Sequence, residues 1–204
     1  MTNEPINAVL FDFGGVIAEE GFHNGMVAMA REQGLDDEAI AGVATQAVYD
    51  SGFVLGRGTA ADFWKLMQER IGLQGEEDVL TARILEGFVV RSWMIELVQR
   101  LRANDYITGI LSDQTHWLDE LDNKYHFSEV FDHIFNSYYL GKGKHDPTLF
   151  ADVAASLGLA PAAILFVDDD AGNVVRASDA GMQTIHYVDR ESFLARLEKL
   201  SVTV

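Results

Sequence analysis

The chain has 204 residues, 48% of them hydrophobic, with 15 Lys and Arg against 32 Asp and Glu for a formal net charge of −17. That composition supports a folded core and excludes disorder, while the acidic surface repels nucleic acid and anionic membrane, both of which are bound through clustered Lys and Arg. The chain contains no cysteine, so disulfides, thiolate zinc sites and cysteine nucleophiles are excluded.

The N-terminal MTNEPIN has no basic flank, and no segment approaches the ~20 apolar residues that span a bilayer, so a cytoplasmic protein is expected. The first apolar run is NAVLF (7–11), which ends in Asp12 and is followed by Gly14-Gly15, where a chain turns sharply. From about 20 to 90 there is no strand pattern. Four helical stretches are predicted there, at 24–33, 37–49, 59–71 and 76–88, with Phe63, Leu66, Met67 and Ile71 on one apolar face and Thr59 as an N-cap. This interval, 20–90, reads as a small helical cap domain inserted into a core domain made of 1–19 and 91–204. Its aromatic residues Phe22, Phe53, Phe63 and Trp64 either shape a substrate pocket or form the insert's own core.

Met94, Leu97, Val98 and Leu101 then follow helical spacing, and ITGILS (107–112) is a second strand ending in Ser112-Asp113. A third run, HIFNS (133–137), precedes the loop LGKGKHDP with Lys142 and Lys144. DPTLFADVAASLG begins with an Asp-Pro cap signal and stops at Gly158. AILFV (163–167) leads into Asp168-Asp169-Asp170, and QTIHYV (183–188) is followed by a helical stripe at Phe193, Leu197 and Leu200. The strand runs are continuous, as in strands of a parallel sheet covered on both faces. Strands alternating with helices predict an α/β fold, a Rossmann-like doubly wound parallel sheet with right-handed crossovers.

Ligands of such a sheet sit beyond the carboxyl ends of its strands. Taken singly, an Asp after a strand is a turn or helix cap, a Ser there is a cap, and Lys144 is a surface lysine. Together they place acids, a hydroxyl and a lysine on one sheet edge. Converging carboxylates repel one another unless a cation sits among them, and an all-oxygen donor set favours Mg²⁺ over zinc or copper. A nucleophilic Asp, a metal, a lysine and a hydroxyl around one point make a phosphoryl-transfer site.

FDFGGVI, ILSD, GKGKHDPTLF and FVDDDAGNVVRASDAGM occur in the order and approximate spacing of the four motifs of the haloacid dehalogenase-like hydrolase superfamily, which the chain resembles over nearly its whole length. Within it, FDFGGVI and LSDQTHWLDEL are similar to the branch containing the N-terminal phosphatase domain of soluble epoxide hydrolase and glucose-1-phosphatase-like proteins. The resemblance implies Mg²⁺-dependent hydrolysis of a small phosphorylated metabolite. Asp12 is then the nucleophile and a metal ligand, Gly14 a carbonyl ligand, and Asp168 and Asp169 metal ligands. Ser112 with Asp113, the Gly14-Gly15 turn and Lys144 hold the phosphate, and Asn173 orders the fourth motif. Asp170 is read as solvated. The residues specify no oligomeric state.

One departure bears on the chemistry. Phosphatases of this superfamily carry a second acid at the position of Gly14, where it protonates the leaving group and activates water. Such help is worth ~10²–10⁴-fold. Three readings stay open: another group such as Glu19, Glu20, His23 or His116 supplies the proton; the substrate has a good leaving group, as in acyl, aryl or anomeric sugar phosphates; or the chain is a phosphate-binding or interaction module without turnover. His145, where the family has proline, is read as a tolerated loop residue. A haloacid dehalogenase places tyrosine where Gly14 stands and does not need the acid cluster. A receiver domain has no helical insert, and neither a dinucleotide-binding nor a P-loop glycine motif is present.

Overall fold

The first strand, β1 (Ala8–Phe11), is buried at all four positions and lies at the centre of a five-stranded parallel sheet ordered β3-β2-β1-β4-β5. Its neighbours are β2 (Ile107–Ser112) and β4 (Ile164–Asp168), with β3 (His133–Asn136) and β5 (Gln183–His186) at the edges. This computed structural model describes residues 4–204; the first three residues of the MTNEPIN segment lie outside it. Each expected strand is present, with its ends within two residues of the apolar run that predicted it.

Alternation along β1 divides the core between the two faces of the sheet. Val9 and Phe11 join one apolar cluster, which also holds Met94, Val98 and Leu101 of α5 (Ser92–Ala103) and Phe193 and Leu197 of α10 (Arg190–Lys199). Ala8 and Leu10 join the other, with Leu149, Phe150 and Val153 of α8 (Leu149–Leu157) and Ala177 of α9 (Ala171–Asp179). The expected double coverage holds for β1, β2 and β4. It fails for β3, where His133 and Ile134 are exposed, because an edge strand has a neighbour on one side only.

Between β1 and α5 lie α1 (Gly21–Gln33), α2 (Ile40–Asp50), α3 (Ala60–Ile71) and α4 (Glu77–Gly87), the four expected helices. Thr59 caps α3 through a reciprocal box: its Oγ1 accepts from Asp62 N–H at 3.2 Å, and Asp62 Oδ2 accepts from Thr59 N–H at 2.9 Å. Helix α1 starts three residues earlier than its apolar spacing predicts. Glu20 makes the difference, since its Oε1 accepts from His23 N–H at 2.9 Å and satisfies the first turn. The Asp-Pro signal before α8 behaves differently from its prediction: Asp146 Oδ1 accepts from Thr148 N–H and Oγ1 at 2.9 and 2.8 Å, closing a turn ahead of a helix that starts at Leu149.

Entry to the helical insert and exit from it are tied together. Ala18 and Val90 form an antiparallel bridge, Glu19 N–H donates to Val89 O at 2.9 Å and Arg91 N–H to Ile17 O at 2.9 Å. The Arg91 guanidinium adds bonds to Gly15 O (2.5 Å), Val16 O (2.8 Å) and the Glu19 carboxylate (2.9 and 3.0 Å). At the far end, the short 3₁₀ turn Phe53–Leu55 lies against α7 (Ser137–Leu140), with Ser137 Oγ donating to Val54 O at 2.8 Å. Phe53, Phe63 and Trp64 pack on one another and on Trp117 of α6 (Trp117–Tyr125), so these three rings are core. Phe22 touches Phe63 and also lines the cavity that holds Asp12 and Ser112. Among the described residues no helix is long and apolar enough to cross a membrane.

Candidate active site

In the sheet order the chain moves outward from β1 to β2 and β3, then crosses to β4 on the other side, so a crevice opens beyond the carboxyl end of β1. Register brings three polar residues to that edge. Phe11 stands opposite Ile110 and Val167, so Asp12 emerges level with Asp168 and Ser112 follows one residue further along β2, all at the ends of neighbouring strands. Asp12 is held there by its own N–H, which donates to Val167 O at 2.8 Å.

The side chains converge. Asp12 Oδ1 accepts from Phe13 N–H at 2.7 Å and from Ser112 Oγ at 2.5 Å, and Lys144 Nζ stands 2.9 Å away. Lys144 Nζ also reaches Asp168 Oδ2 at 2.7 Å; both side chains are buried, at 1% and 0% exposure, so this ammonium has no water to fall back on. The loop carrying Lys144 is fixed by Asp113, whose two oxygens each accept from Lys144 N–H at 3.0 Å and whose Oδ2 also accepts from the Tyr49 hydroxyl. Gly143 permits this approach, because a Cβ there would stand 3.0 Å from both Asp113 Oδ2 and Tyr49 OH. Lys142, the other lysine of the loop, pairs instead with Asp152.

On β4, Asp168 accepts from Asp170 N–H at 2.7 Å and from Asn173 Nδ2 at 3.1 and 3.2 Å. Asp170 is not simply solvated: it caps α9, its Oδ1 accepting from Asn173 N–H at 2.7 Å. Asp12, Asp168 and Asp169 each bring an oxygen within 4.8 Å of the others. Three carboxylates beside one ammonium leave two negative charges unbalanced, an all-oxygen donor set that fits a hard divalent cation such as Mg²⁺.

The electrostatics express that surplus. Burial pushes the Asp12 carboxyl up to about 7, against the pull of Lys144 and with help from Asp168. Burial and the neighbouring Asp168 likewise raise Asp169. Burial by itself lowers Lys144, but Asp12 and Asp168 outweigh it and hold the ammonium above its ordinary range.

The two glycines do separate work. Gly15 has φ +76°, and a Cβ on it would stand 2.1 Å from Asp169 Oδ2. Gly15→Ala is therefore expected to displace Asp169 and to add about 1–2 kcal/mol of left-handed strain. A lowered melting temperature together with a weakened Mg²⁺ titration checks this; unchanged metal binding would refute the contact's importance. Gly14 is buried, and a Cβ on it would stand 2.5 Å from Glu20 Oε2. Burial raises the Glu20 carboxyl above the usual range, an effect only partly offset by His23 N–H.

These groups border a cavity of about 270 Å³ lined by Asp12, Gly14, Glu20, Ser112, Asp113 and Lys144, among others. Of the four groups considered as proton donors, only Glu20 lines it. Glu19 is paired with Arg91, His23 is exposed, and His116 packs between Phe53 and Tyr138 facing Glu120. Gly15 and Asp169 border a second depression together with Glu20, Arg91 and His186. His145 does line the cavity, beside the Tyr49 ring. Tyr49, Gln114 and Arg176 also line it: Gln114 and Arg176 fall inside the motif stretches without a role assigned from the sequence, and Tyr49 falls in none of them.

Comparison with known proteins gives the family and the fold. A family model for haloacid dehalogenase-like hydrolases matches residues 6–181. The chain is 29% identical over 118 residues to flavin mononucleotide hydrolase 1 of Arabidopsis thaliana, a match covering 58% of this chain and 48% of that protein. It is 30% identical over 117 residues to bifunctional epoxide hydrolase 2 of Rattus norvegicus, covering 54% of this chain and 21% of that protein. The chain thus spans half or less of the length of these relatives. A haloacid dehalogenase family enzyme of Bacteroides thetaiotaomicron, solved in complex with magnesium and inorganic phosphate, superposes with a TM-score of 0.71 at 22% identity, covering 93% of this chain and 98% of that one. That likeness shows the fold.

Proposed function

The chain belongs to the haloacid dehalogenase-like hydrolases, and on that footing we propose that it hydrolyses a small phosphomonoester through an aspartyl-phosphate on Asp12, with Mg²⁺ as cofactor. The observation that carries the reading is the contact of Lys144 with both Asp12 (2.9 Å) and Asp168 (2.7 Å) at the open end of the sheet. Asp12, Asp168 and Asp169, with the Gly14 carbonyl, would hold the metal. Bound there, Mg²⁺ supplies the positive charge that lets a phosphate approach three carboxylates.

The residues then divide the work. The three contacts to the Asp12 carboxylate all fall on Oδ1, which leaves Oδ2 for attack on phosphorus. Lys144 stays protonated throughout and offsets negative charge on the transferring phosphoryl group, while Ser112 Oγ and the backbone of the Gly14-Gly15 turn bind its oxygens. Asp113 has its carboxylate committed to Lys144 N–H and Tyr49, so it positions the lysine loop and contributes to the phosphate only through its backbone. The helical insert closes over the cavity as a cap, with Phe22, Val48 and Tyr49 forming the wall that the organic part of the substrate meets. Two relatives support the substrate class, one a hydrolase of flavin mononucleotide by name and the other a family enzyme found with phosphate and magnesium.

Hydrolysis of p-nitrophenyl phosphate should appear with Mg²⁺ and vanish with EDTA. Absence of any metal-dependent turnover on aryl, acyl and sugar phosphates would leave a phosphate-binding module instead. Metal and proton should also compete. With a folded pKa of about 7 for Asp12, far above its ordinary 3.8, this group stabilises the metal-free fold at acid pH and loses that contribution as pH rises through 7. The gain in melting temperature on adding Mg²⁺ should therefore be larger at about pH 8 than at about pH 5.5. An equal gain at both would contradict a metal seated on Asp12.

A further inference from the structure

We propose that Glu20, delivered by the helical insert, is the proton donor and acceptor of this hydrolysis, standing in space where the family's second acid would stand at Gly14. The proposal rests on the phosphatase reading above and deepens it. Glu20 Oε2 lies 2.5 Å from the position a Gly14 Cβ would take, so it fills the volume that a side chain at 14 would occupy. An aspartate there would put its carboxyl carbon one bond beyond that Cβ; the Glu20 carboxylate reaches the same place from six residues further along the chain. Glycine at 14 is thus the condition for Glu20 to fit.

Glu20 is also held in place. Its Oε1 accepts from His23 N–H at 2.9 Å and caps α1, which fixes the carboxyl while Oε2 remains outside that bond. The same carboxyl borders the cavity with Asp12, Ser112 and Lys144. A helix cap alone does not need a glutamate: Ser, Thr, Asp and Asn are the favoured residues, reaching the same N–H with a shorter side chain.

The chemistry balances in two steps. Asp12 Oδ2 forms a bond to phosphorus as the bond to the ester oxygen breaks, and that oxygen takes the bonding pair and the proton of the Glu20 carboxyl to leave as the alcohol. Glu20, now a carboxylate, removes a proton from water as the water oxygen bonds to phosphorus. The Asp12–phosphorus bond breaks with its electron pair returning to Asp12, phosphate departs, and Glu20 is protonated again. The net change is ester plus water to alcohol plus phosphate.

Leaving-group dependence separates this role from a structural one. Glu20→Gln keeps an oxygen for His23 N–H but has no acid proton. Its kcat/KM should fall ~10²–10⁴-fold on alkyl phosphates, whose leaving oxygen needs the proton, and by about tenfold or less on dinitrophenyl phosphate, which leaves unaided. On the dinitrophenyl ester its kcat should fall with a burst of dinitrophenol, because water attack on the phosphoenzyme loses its base. Gly14→Asp alone meets the Glu20 carboxylate, whereas Gly14→Asp combined with Glu20→Ala returns one carboxyl to the vacated volume and should recover alkyl phosphate turnover. Equal losses on both ester classes, or no loss, would overturn the role of Glu20 while leaving the phosphatase reading intact. A wild-type enzyme with no Asp12-dependent hydrolysis of any ester would overturn both.

Discussion

Asp12→Asn should lose at least about 10⁴-fold in kcat with little change in folding, as nucleophile replacements do when the rest of the machinery stays in place. The amide cannot form the acyl-phosphate bond, yet its oxygen can still accept from Phe13 N–H and Ser112 Oγ, as Asp12 Oδ1 does now. Lys144 keeps Asp168 at 2.7 Å, so no buried ammonium is stranded. Because burial already favours the protonated form of Asp12, a neutral amide of the same shape suits the metal-free site. Steady-state turnover of dinitrophenyl phosphate beside a thermal melt gives the answer. Residual activity within about tenfold of wild type would remove Asp12 from the role of nucleophile.

Lys144→Met has the opposite character, since it damages the fold and the chemistry together. It leaves Asp12 and Asp168 facing each other in a buried site without their cation. Breaking one partner of such an arrangement typically costs about 3–5 kcal/mol. The sign of its pH dependence follows from the carboxylates. Without the lysine the Asp12 carboxyl, already raised by burial, rises further above its unfolded value, so stability is lost as pH rises, and the deficit should be larger at about pH 8 than at about pH 5. Mg²⁺ should return part of it. Turnover should fall about 10²–10³-fold even with metal, as when one electrostatic donor is removed from a preorganised site. Urea unfolding with EDTA and with Mg²⁺ measures the first effect. A destabilisation below about 1 kcal/mol would mean that the Lys144 pairs contribute little, as at a solvent-exposed bridge.

Much of this site was legible in the sequence because its parts sit at strand ends. A continuous apolar run such as AVLF marks a buried strand, and the first polar residue after it must emerge at the edge where the crevice forms. That rule located Asp12, Ser112 and Asp168 without any knowledge of contacts. Lys144 was found by its place in an ordered set of motifs, since nothing in its neighbourhood distinguishes it from Lys142, which turned out to pair with Asp152. Tyr49 was beyond reach: it ends a helix in the insert and meets Asp113 across 64 residues of chain. Glu20 lay between these cases. It stood among four named candidates, and its place on the cavity wall together with the clash of a Gly14 Cβ with its carboxylate distinguishes it. The exposed β3 was misread because apolar content does not say whether a strand is central or at an edge.

The pairing of the insert's entry with its exit has a consequence for how such a molecule changes over generations. Ala18 and Val90 bridge each other, so the chain leaves the sheet and returns to it at one point. A segment whose ends are pinned together can double in length for about 0.6 kcal/mol of closure entropy. Insertions, deletions and resequencing between α1 and α4 thus reach the cavity wall while the register of β1 against β2 and β4 stays as it is. The first turn, which presents Glu20, and Tyr49, which holds Asp113, are denied that freedom. Lineages built on this plan can drift in what they accept as substrate while inheriting the bond-breaking centre intact.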